Sequence, residues 1–283
     1  MKGATFTTAT LVLTFLVTGP AWAQGGSGGE VTVELTRPSE PCHLECGLVY
    51  GGIVVEVHSG TGVIVQTKPH VDEDDERERE RKRASGREPH LTRIPVSSAN
   101  LEVVEKDNRV KISTNSWSKG VDVWVKVPKR TSLALSCVND GDIRAEGVSG
   151  NVEVQNVNGE IHLGGISGSA VAYTTNGDVT VELLEIEKGK PMSFASLNGD
   201  VDVTLPSDVK ITVKIGTQRG DVYTDFDIQA SERSPKIIEE NSRADDGTYR
   251  VRMEDAFFGL INGGGPEFQF STYNGDIIIR KGS

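Results

Sequence analysis

Between Asn139 and Val181, apolar or small residues recur at the second and fourth positions after glycines spaced nine residues apart. The glycines are Gly141, Gly150, Gly159, Gly168 and Gly177, and the pairs that follow are Ile143/Ala145, Val152/Val154, Ile161/Leu163, Ala170/Ala172 and Val179/Val181. Strict alternation is the period of a strand with one buried face, and glycine at fixed spacing punctuates tight turns. The turns are of two alternating kinds. Asp140-Gly141-Asp142, Asn158-Gly159-Glu160 and Asn176-Gly177-Asp178 form one, and Ser149-Gly150-Asn151 and Ser167-Gly168-Ser169 the other. The pattern predicts an all-β chain, a parallel β-solenoid or β-helix-like stack of two-strand coils with a period of about 18 residues.

In such a stack equivalent residues lie ~4.8 Å apart along the axis. The paired apolar residues then form internal columns, each larger one contributing roughly 1.5–3 kcal/mol on burial. A single coil has no neighbour to cover it and should not fold alone. The turn glycines are expected to supply positive φ, and Asn158, Asn176 and Asn198 to superpose as an amide ladder.

On either side the pattern continues less regularly. Ile53–Val57 and Val63–Thr67 read as a hairpin or first coil around Ser59-Gly60-Thr61-Gly62, and Leu101–Glu105 and Val110–Ser113 as strands about a turn. Val121, Val123, Val125 and Val127 alternate with Asp122, Trp124 and Lys126 until Pro128, which cannot donate to a ladder. Further turns come at Gly199 and Gly220, and after an interruption over Asp225–Pro266, with a strand at Tyr249–Met253, the motif returns at Gly275. Residues 72–93 are charged without an apolar stripe and read as a solvated excursion. Residues 1–23 read as a signal peptide: Lys2, an apolar run at Leu11–Val17, then Ala21-Trp22-Ala23 before the cleavage point. Residues 24–47 are assigned as a flexible linker carrying a cysteine pair, and 48–283 as one β-repeat domain, with no membrane span after cleavage.

Charge narrows the partners. A net charge of −11 disfavours nucleic acid and anionic lipid. The three cysteines, in an oxidising compartment, point to a local disulfide between Cys42 and Cys46, with pairing to Cys137 the alternative. A zinc site from Cys42, His43 and Cys46 lacks the usual second ligand pair. Asp142, Glu160, Asp178, Asp200 and Asp221 share one corner position, where carboxylates at strand spacing either cap turns or bind cations. The glycine-rich calcium-binding nonapeptide is missing, so turn capping is the reading and neither metal nor cofactor is expected. Catalytic residues are not assigned: five scattered histidines offer no convergent site, and outward acids such as Glu153, Glu182 and Asp202 form no distinct pair.

The run from Val127-Pro128 through Asn139-Asp140-Gly141-Asp142-Ile143 and Gly147-Val148-Ser149-Gly150-Asn151-Val152 resembles the bacterial putative-adhesin family. That family comprises β-strand-repeat cell-envelope domains of unknown function. Ile261-Asn262-Gly263-Gly264-Gly265 and Ser271-Thr272-Tyr273-Asn274-Gly275-Asp276-Ile277 are similar to its C-terminal signature. The resemblance spans roughly Leu48–Ser283 and implies an exported, non-enzymatic scaffold, periplasmic, at the outer surface or secreted. Its expected partners are an envelope protein or a surface polymer, with self-association through open solenoid ends. A polysaccharide-active β-helix enzyme and a periplasmic component of envelope-stress signalling are the alternatives.

Overall fold

The computed structural model describes residues 29–70, 81, 101–114, 120–231, 237–242, 248–253 and 256–282. The segment expected to be a signal peptide lies outside them, as does the expected charged excursion apart from Arg81. Through the nine-residue repeat the chain is extended with the apolar set buried; Ile143, Ala145, Val152, Val154, Ile161, Leu163, Ala170, Ala172, Val179 and Val181 are all in the core.

The first strands are β1 (Glu30–Val33), β2 (Cys42–Tyr50), β3 (Ile53–His58), β4 (Val63–Pro69), β5 (Leu101–Lys106) and β6 (Arg109–Thr114). Then come β7 (Val121–Pro128), β8 (Thr131–Asn139), β9 (Ile143–Glu146), β10 (Ser149–Asn158), β11 (Ile161–Asn176) and β12 (Val179–Ile186). The C-terminal half holds β13 (Met192–Asn198), β14 (Val201–Leu205), β15 (Ile211–Arg219), β16 (Val222–Thr224) and β17 (Ile228–Ala230). Last are β18 (Ile237–Ser242), β19 (Thr248–Met253), β20 (Phe257–Ile261), β21 (Glu267–Asn274) and β22 (Ile277–Lys281). Twenty of these form one sheet of parallel and antiparallel strands, while β18 and β19 pair only with each other.

The pairings fall into two columns. In the first, the order is β1, β4, β7, β3, β9, the beginning of β11, β12, β14, β22 and β16. In the second it is β5, β6, β2, β8, β10, the end of β11, β13, β21, β15, β20 and β17. β11 belongs to both because it bends at Gly164-Gly165, where its register with β12 shifts. In the middle of each column the strands are parallel and in the expected step: Ile143 lies opposite Ile161, Ile161 opposite Val179, and Ser149 opposite Ser167.

The order in space is not the order in sequence. β2 and β3 insert between β6/β7 and β8/β9. At the far end β21 and β22 insert between β13/β14 and β15/β16. Two early strands and two late strands therefore each sit one place inward in the order of pairing. Residues 30–47 are consequently not a linker: β1 pairs with β4, and Leu35, Cys42, Leu44 and Cys46 are buried. The segment between β1 and β2 is held by Asn108, whose buried amide donates to the Arg37 carbonyl (2.6 Å) and accepts from the Arg37 N–H (2.7 Å). β3 and β4 do not form a hairpin with each other; each pairs with β7, one parallel and one antiparallel. Antiparallel strands β1, β4 and β5 cover one end, and β20 and β17 cover part of the other. Open parallel edges, the basis of the expected end-to-end assembly, are thus largely occupied.

The interior changes character along the axis. Ala172 lies beside Phe194, and Phe194 beside Phe270, whose ring centroid is 5.7 Å away. The small side chain on one strand makes room for the aromatic ring on its neighbour, as close packing requires.

Candidate functional site

Three chains of hydrogen bonds run along the corner where Asn-Gly-Asp recurs. The Asn158 amide donates to Asn139 Oδ1 (3.2 Å), Asn176 to Asn158 (2.7 Å), Asn198 to Asn176 (2.8 Å) and Asn274 to Asn198 (2.7 Å). This is the amide ladder read from the repeat, with Asn274 joining because its strand is inserted there. The carboxylates form a parallel line. Asp142 accepts the Glu160 N–H (2.8 Å), Asp178 that of Asp200 (2.8 Å), Asp200 that of Asp276 (2.7 Å) and Asp276 that of Asp221 (2.8 Å). Each of these acceptors neutralises an otherwise unpaired corner donor, which offsets the repulsion between successive like charges.

The third line was not read from the sequence. Two residues before each corner asparagine, or its equivalent, a donor that is buried in every case but the half-buried Thr217 reaches the glycine carbonyl of a paired strand's corner. Asn156 reaches Gly141 (2.8 Å), Thr174 reaches Gly159 (2.9 Å), and Ser196 reaches Gly177 (2.8 Å). Thr272 reaches Gly199 (2.9 Å), Thr217 reaches Gly275 (3.0 Å), and Cys137 directs its thiol at Gly51 O (2.9 Å). The signal was present as a small polar residue at a fixed offset from Asn-Gly, within positions that alternation assigns to the core.

The glycines have a stronger reason than positive φ. A Cβ on Gly159 would lie 2.3 Å from Gly141 O, on Gly177 2.4 Å from Gly159 O, and on Gly199 2.2 Å from Gly177 O. The same holds for Gly275 against Gly199 O (2.2 Å), Gly220 against Gly275 O (1.9 Å) and Gly141 against Gly51 O (2.1 Å). Gly141 and Gly220 have no positive φ, so close approach between coils is the property common to the column. Gly150 and Gly168 are corrected as turn residues: they lie inside β10 and β11, and the chain turns just upstream at Gly147 (φ 74°) and Gly165 (φ 61°). They too pack against a neighbouring carbonyl, Thr131 O at 2.6 Å and Gly150 O at 2.2 Å from an added Cβ.

The cysteines are not placed for a local disulfide. Cys42 and Cys46 lie four residues apart on one extended strand, about 13 Å at strand rise, against the 4.4–6.8 Å between Cα atoms that a disulfide spans. Both face the core while His43 alternates outward, which also separates the zinc candidates. Burial pushes the Cys46 thiol up to about 12 and those of Cys42 and Cys137 to about 11, so all three are neutral packing groups.

The outward residues divide sharply between the columns. On the first, Arg144, Glu146, His162, Glu182, Asp202 and Arg280 face out, and Arg280 grips Asp202 through two nitrogens (2.9 and 2.8 Å). A recess of about 590 Å³ on this side is lined by Glu56, Glu146, Glu182 and His162 around Gly164-Gly165. A second, of about 560 Å³, is lined by Trp124, Arg144, Asp140, Asp142 and the pair His70–Asp122, with Nδ1 2.7 Å from Oδ1. Asp122 Oδ1 also accepts the Gly52 N–H (2.8 Å), which places it in the corner-capping line, so this His–Asp pair borders a structural carboxylate.

The second column faces out differently. Across β8, β10, β11, β13 and β21 one register row reads Ala134, Glu153, Val171, Ser193 and Gln269, and the next Ser136, Gln155, Tyr173, Ala195 and Ser271. The row beside the corner holds Val138, Val157, Thr175, Leu197 and Tyr273. Glu153 is the one charged residue among these fifteen positions, in a chain that is 25% charged. Val138, Val157, Val171, Tyr173, Leu197 and Tyr273 are each 38–46% exposed. Of the outward acids Glu153, Glu182 and Asp202, the first lies on the second column and the other two on the first.

The family resemblance read from the turn motifs is shown by residues 133–256, which match the family model described as Toastrack DUF4097. Among solved structures, the chain is similar to a putative cell adhesion protein from Clostridium sporogenes ATCC 15579. The two share 12% identity at a TM-score of 0.42, over 91% of this chain and 100% of that one. It is also similar to a putative adhesin from Bacteroides fragilis NCTC 9343, with 12% identity and a TM-score of 0.28 over 90% of this chain and 97% of that one. No curated protein matches the chain.

Proposed function

We propose that this protein is an exported, non-enzymatic β-repeat protein of the bacterial cell envelope, built as a β-solenoid-like stack of two-strand coils and acting as an adhesin-like binding or structural scaffold. The observation that carries the reading is the division of the outer faces: a broad exposed sheet face with one charge among fifteen positions is a contact surface, not a solvated one. The match to Toastrack DUF4097 agrees with a β-repeat scaffold. The Ala21-Trp22-Ala23 motif supports export to the periplasm, the outer surface or the medium. The polar chemistry along the corner is consumed in holding coils together, which leaves activity to the outward faces. The partner in this reading is an envelope protein or surface polymer, and the net charge of −11 argues against nucleic acid. Fractionation of the host followed by capture from its envelope fraction tests it. Recovery of the protein in the cytoplasm would overturn the reading.

The acidic recess favours one other reading, a polysaccharide-active enzyme. Glu146 lies opposite Gly164, and Glu146, Glu182 and His162 border a surface left open by two glycines. Paired carboxylates are the apparatus of glycoside cleavage. Release of reducing ends from acidic or neutral polysaccharides, lost in Glu146→Gln, would establish this reading in place of the scaffold. The expected result is no turnover.

A further inference from the structure

We propose that the sparsely charged outer face of the second column is a self-association surface, which pairs two copies of this chain face to face about a twofold axis. This goes beyond the envelope-scaffold reading and is tested on the purified protein alone, so either can fail without the other.

Four features point to a second copy as the occupant. The first is extent. The charge-free row continues on both sides to Gly47 of β2 and Gly216 of β15, so it crosses seven strands. At ~4.8 Å per strand and three outward residues ~6.8 Å apart, the seven-strand face covers roughly 700 Å², with Glu45, Glu153 and Lys214 the charged positions in the row beside this one. A stable interface takes about 800 Å² from each partner.

The second is charge. A chain at −11 repels its own copy, and two copies meet with the least repulsion where the surface carries the fewest carboxylates, here Glu153 and, on β2, Glu45. The opposite face, with Glu146, Glu182 and Asp202, is not such a place.

The third is relief. Tyr173 stands in a row that is otherwise small or slender, beside Ala195 and two strands from Ser271. The row beside the corner carries Val157, Leu197 and Tyr273, all exposed. Under a twofold operation the bulky residues of one copy meet the small row of the other, the self-complementarity that an isologous interface demands. Exposed tyrosines of this kind are frequent interface anchors.

The fourth is connectivity. Every strand of this face is paired on both sides, and the stack ends are largely covered by antiparallel strands. Association therefore runs through side chains, as two sheets pack in a sandwich, and not through edge pairing.

Sedimentation of the purified protein from about 1 to 100 µM reads a monomer–dimer equilibrium with a dissociation constant in the micromolar range or tighter. The mass is expected to rise from 30.5 kDa to twice that value. Tyr173→Glu places a charge at the centre of both copies at once and should weaken association at least ~30-fold. Leu197→Glu, on the neighbouring strand, should do the same, while Thr180→Glu on the charged face should leave the equilibrium unchanged. Melting curves of each variant confirm that the fold is retained, and the two independent positions keep the test valid if one variant unfolds. A monomer throughout the range overturns the proposal, including one that instead binds a neutral polysaccharide. So does a dimer that both folded face variants leave intact.

Discussion

The corner glycines allow steric approach to be separated from backbone conformation by three single substitutions to alanine. Gly189 has φ 81° with nothing within 4 Å of an added Cβ, so Gly189→Ala carries conformational strain alone. That strain, about 1–2 kcal/mol, is reduced by the lower entropy of the unfolded alanine chain, leaving a net cost of roughly 1 kcal/mol. Gly141→Ala has no left-handed φ to contend with, but its Cβ would sit 2.1 Å from Gly51 O and 2.6 Å from Gly52 N. Ordinary contact requires more than 1 Å of additional separation. The adjoining coils are tied close by through Gly51 N–H to Asn139 O (3.2 Å) and Ile53 N–H to Asp142 O (2.9 Å), which must stretch together. Two weakened hydrogen bonds and an overpacking strain of similar size sum to ~3–5 kcal/mol. Gly177→Ala combines a Cβ 2.4 Å from Gly159 O with φ 137° and should cost at least as much as Gly141→Ala. For a chain of this size each kcal/mol lowers Tm by about 2–4 °C. Gly189→Ala should therefore melt within a few degrees of the parent, and Gly141→Ala at least ~6 °C lower. Circular dichroism melts and urea titrations measure both. Equal melting of Gly141→Ala and Gly189→Ala would refute the argument that coil approach, and not φ, dictates these glycines.

Three further outcomes follow from the corner and the core. Thr174→Val keeps the shape but leaves the Gly159 carbonyl without its buried donor, so urea unfolding should show a loss of ~1–3 kcal/mol. Asp178→Ala removes the acceptor of the Asp200 N–H and should cost about 1 kcal/mol, while Asp178→Asn keeps the acceptor and should be near neutral. Melting should be the same in calcium and in chelator, and a calcium-dependent rise lost in Asp178→Asn would refute turn capping. The buried thiols, raised to about 11 to 12, should resist a thiol reagent at pH 8 until denaturant exposes all three. Because their folded pKa values exceed the unfolded value of about 8.5, their contribution is intact below that pH and is lost as pH rises toward the folded values.

The alternation of apolar and polar residues, repeated at a fixed step, specified the strands, their inward sets and the amide ladder. These depend on local periodicity and on equivalent residues recurring one coil apart, both of which are visible in a linear string. The boundary at residue 48 was set too late because β1 and β2 lie before the first regular turn and owe their order to partners distant in sequence: Gln66 for Glu30, Arg109 for His43 and Thr131 for Cys42. The cysteine spacing suggested a local bridge, but an extended strand carries Cys42 and Cys46 too far apart for one. The corner glycines were recognised for their recurrence, with the wrong dominant cause. A clash with a carbonyl distant in sequence exists only once the strands are paired.

By itself, then, the chain's periodicity determined an all-β repeat and which side of each strand is buried, because side-chain direction in a strand follows from position alone. Only the tertiary structure decided the order of the stack, with β2/β3 and β21/β22 each inserted one place inward. It also decided which outward residues share a face. Both are settled by pairing between segments up to 90 residues apart, such as Ile53 with Ile143, and hydrogen bonds of that kind leave no local periodicity to read.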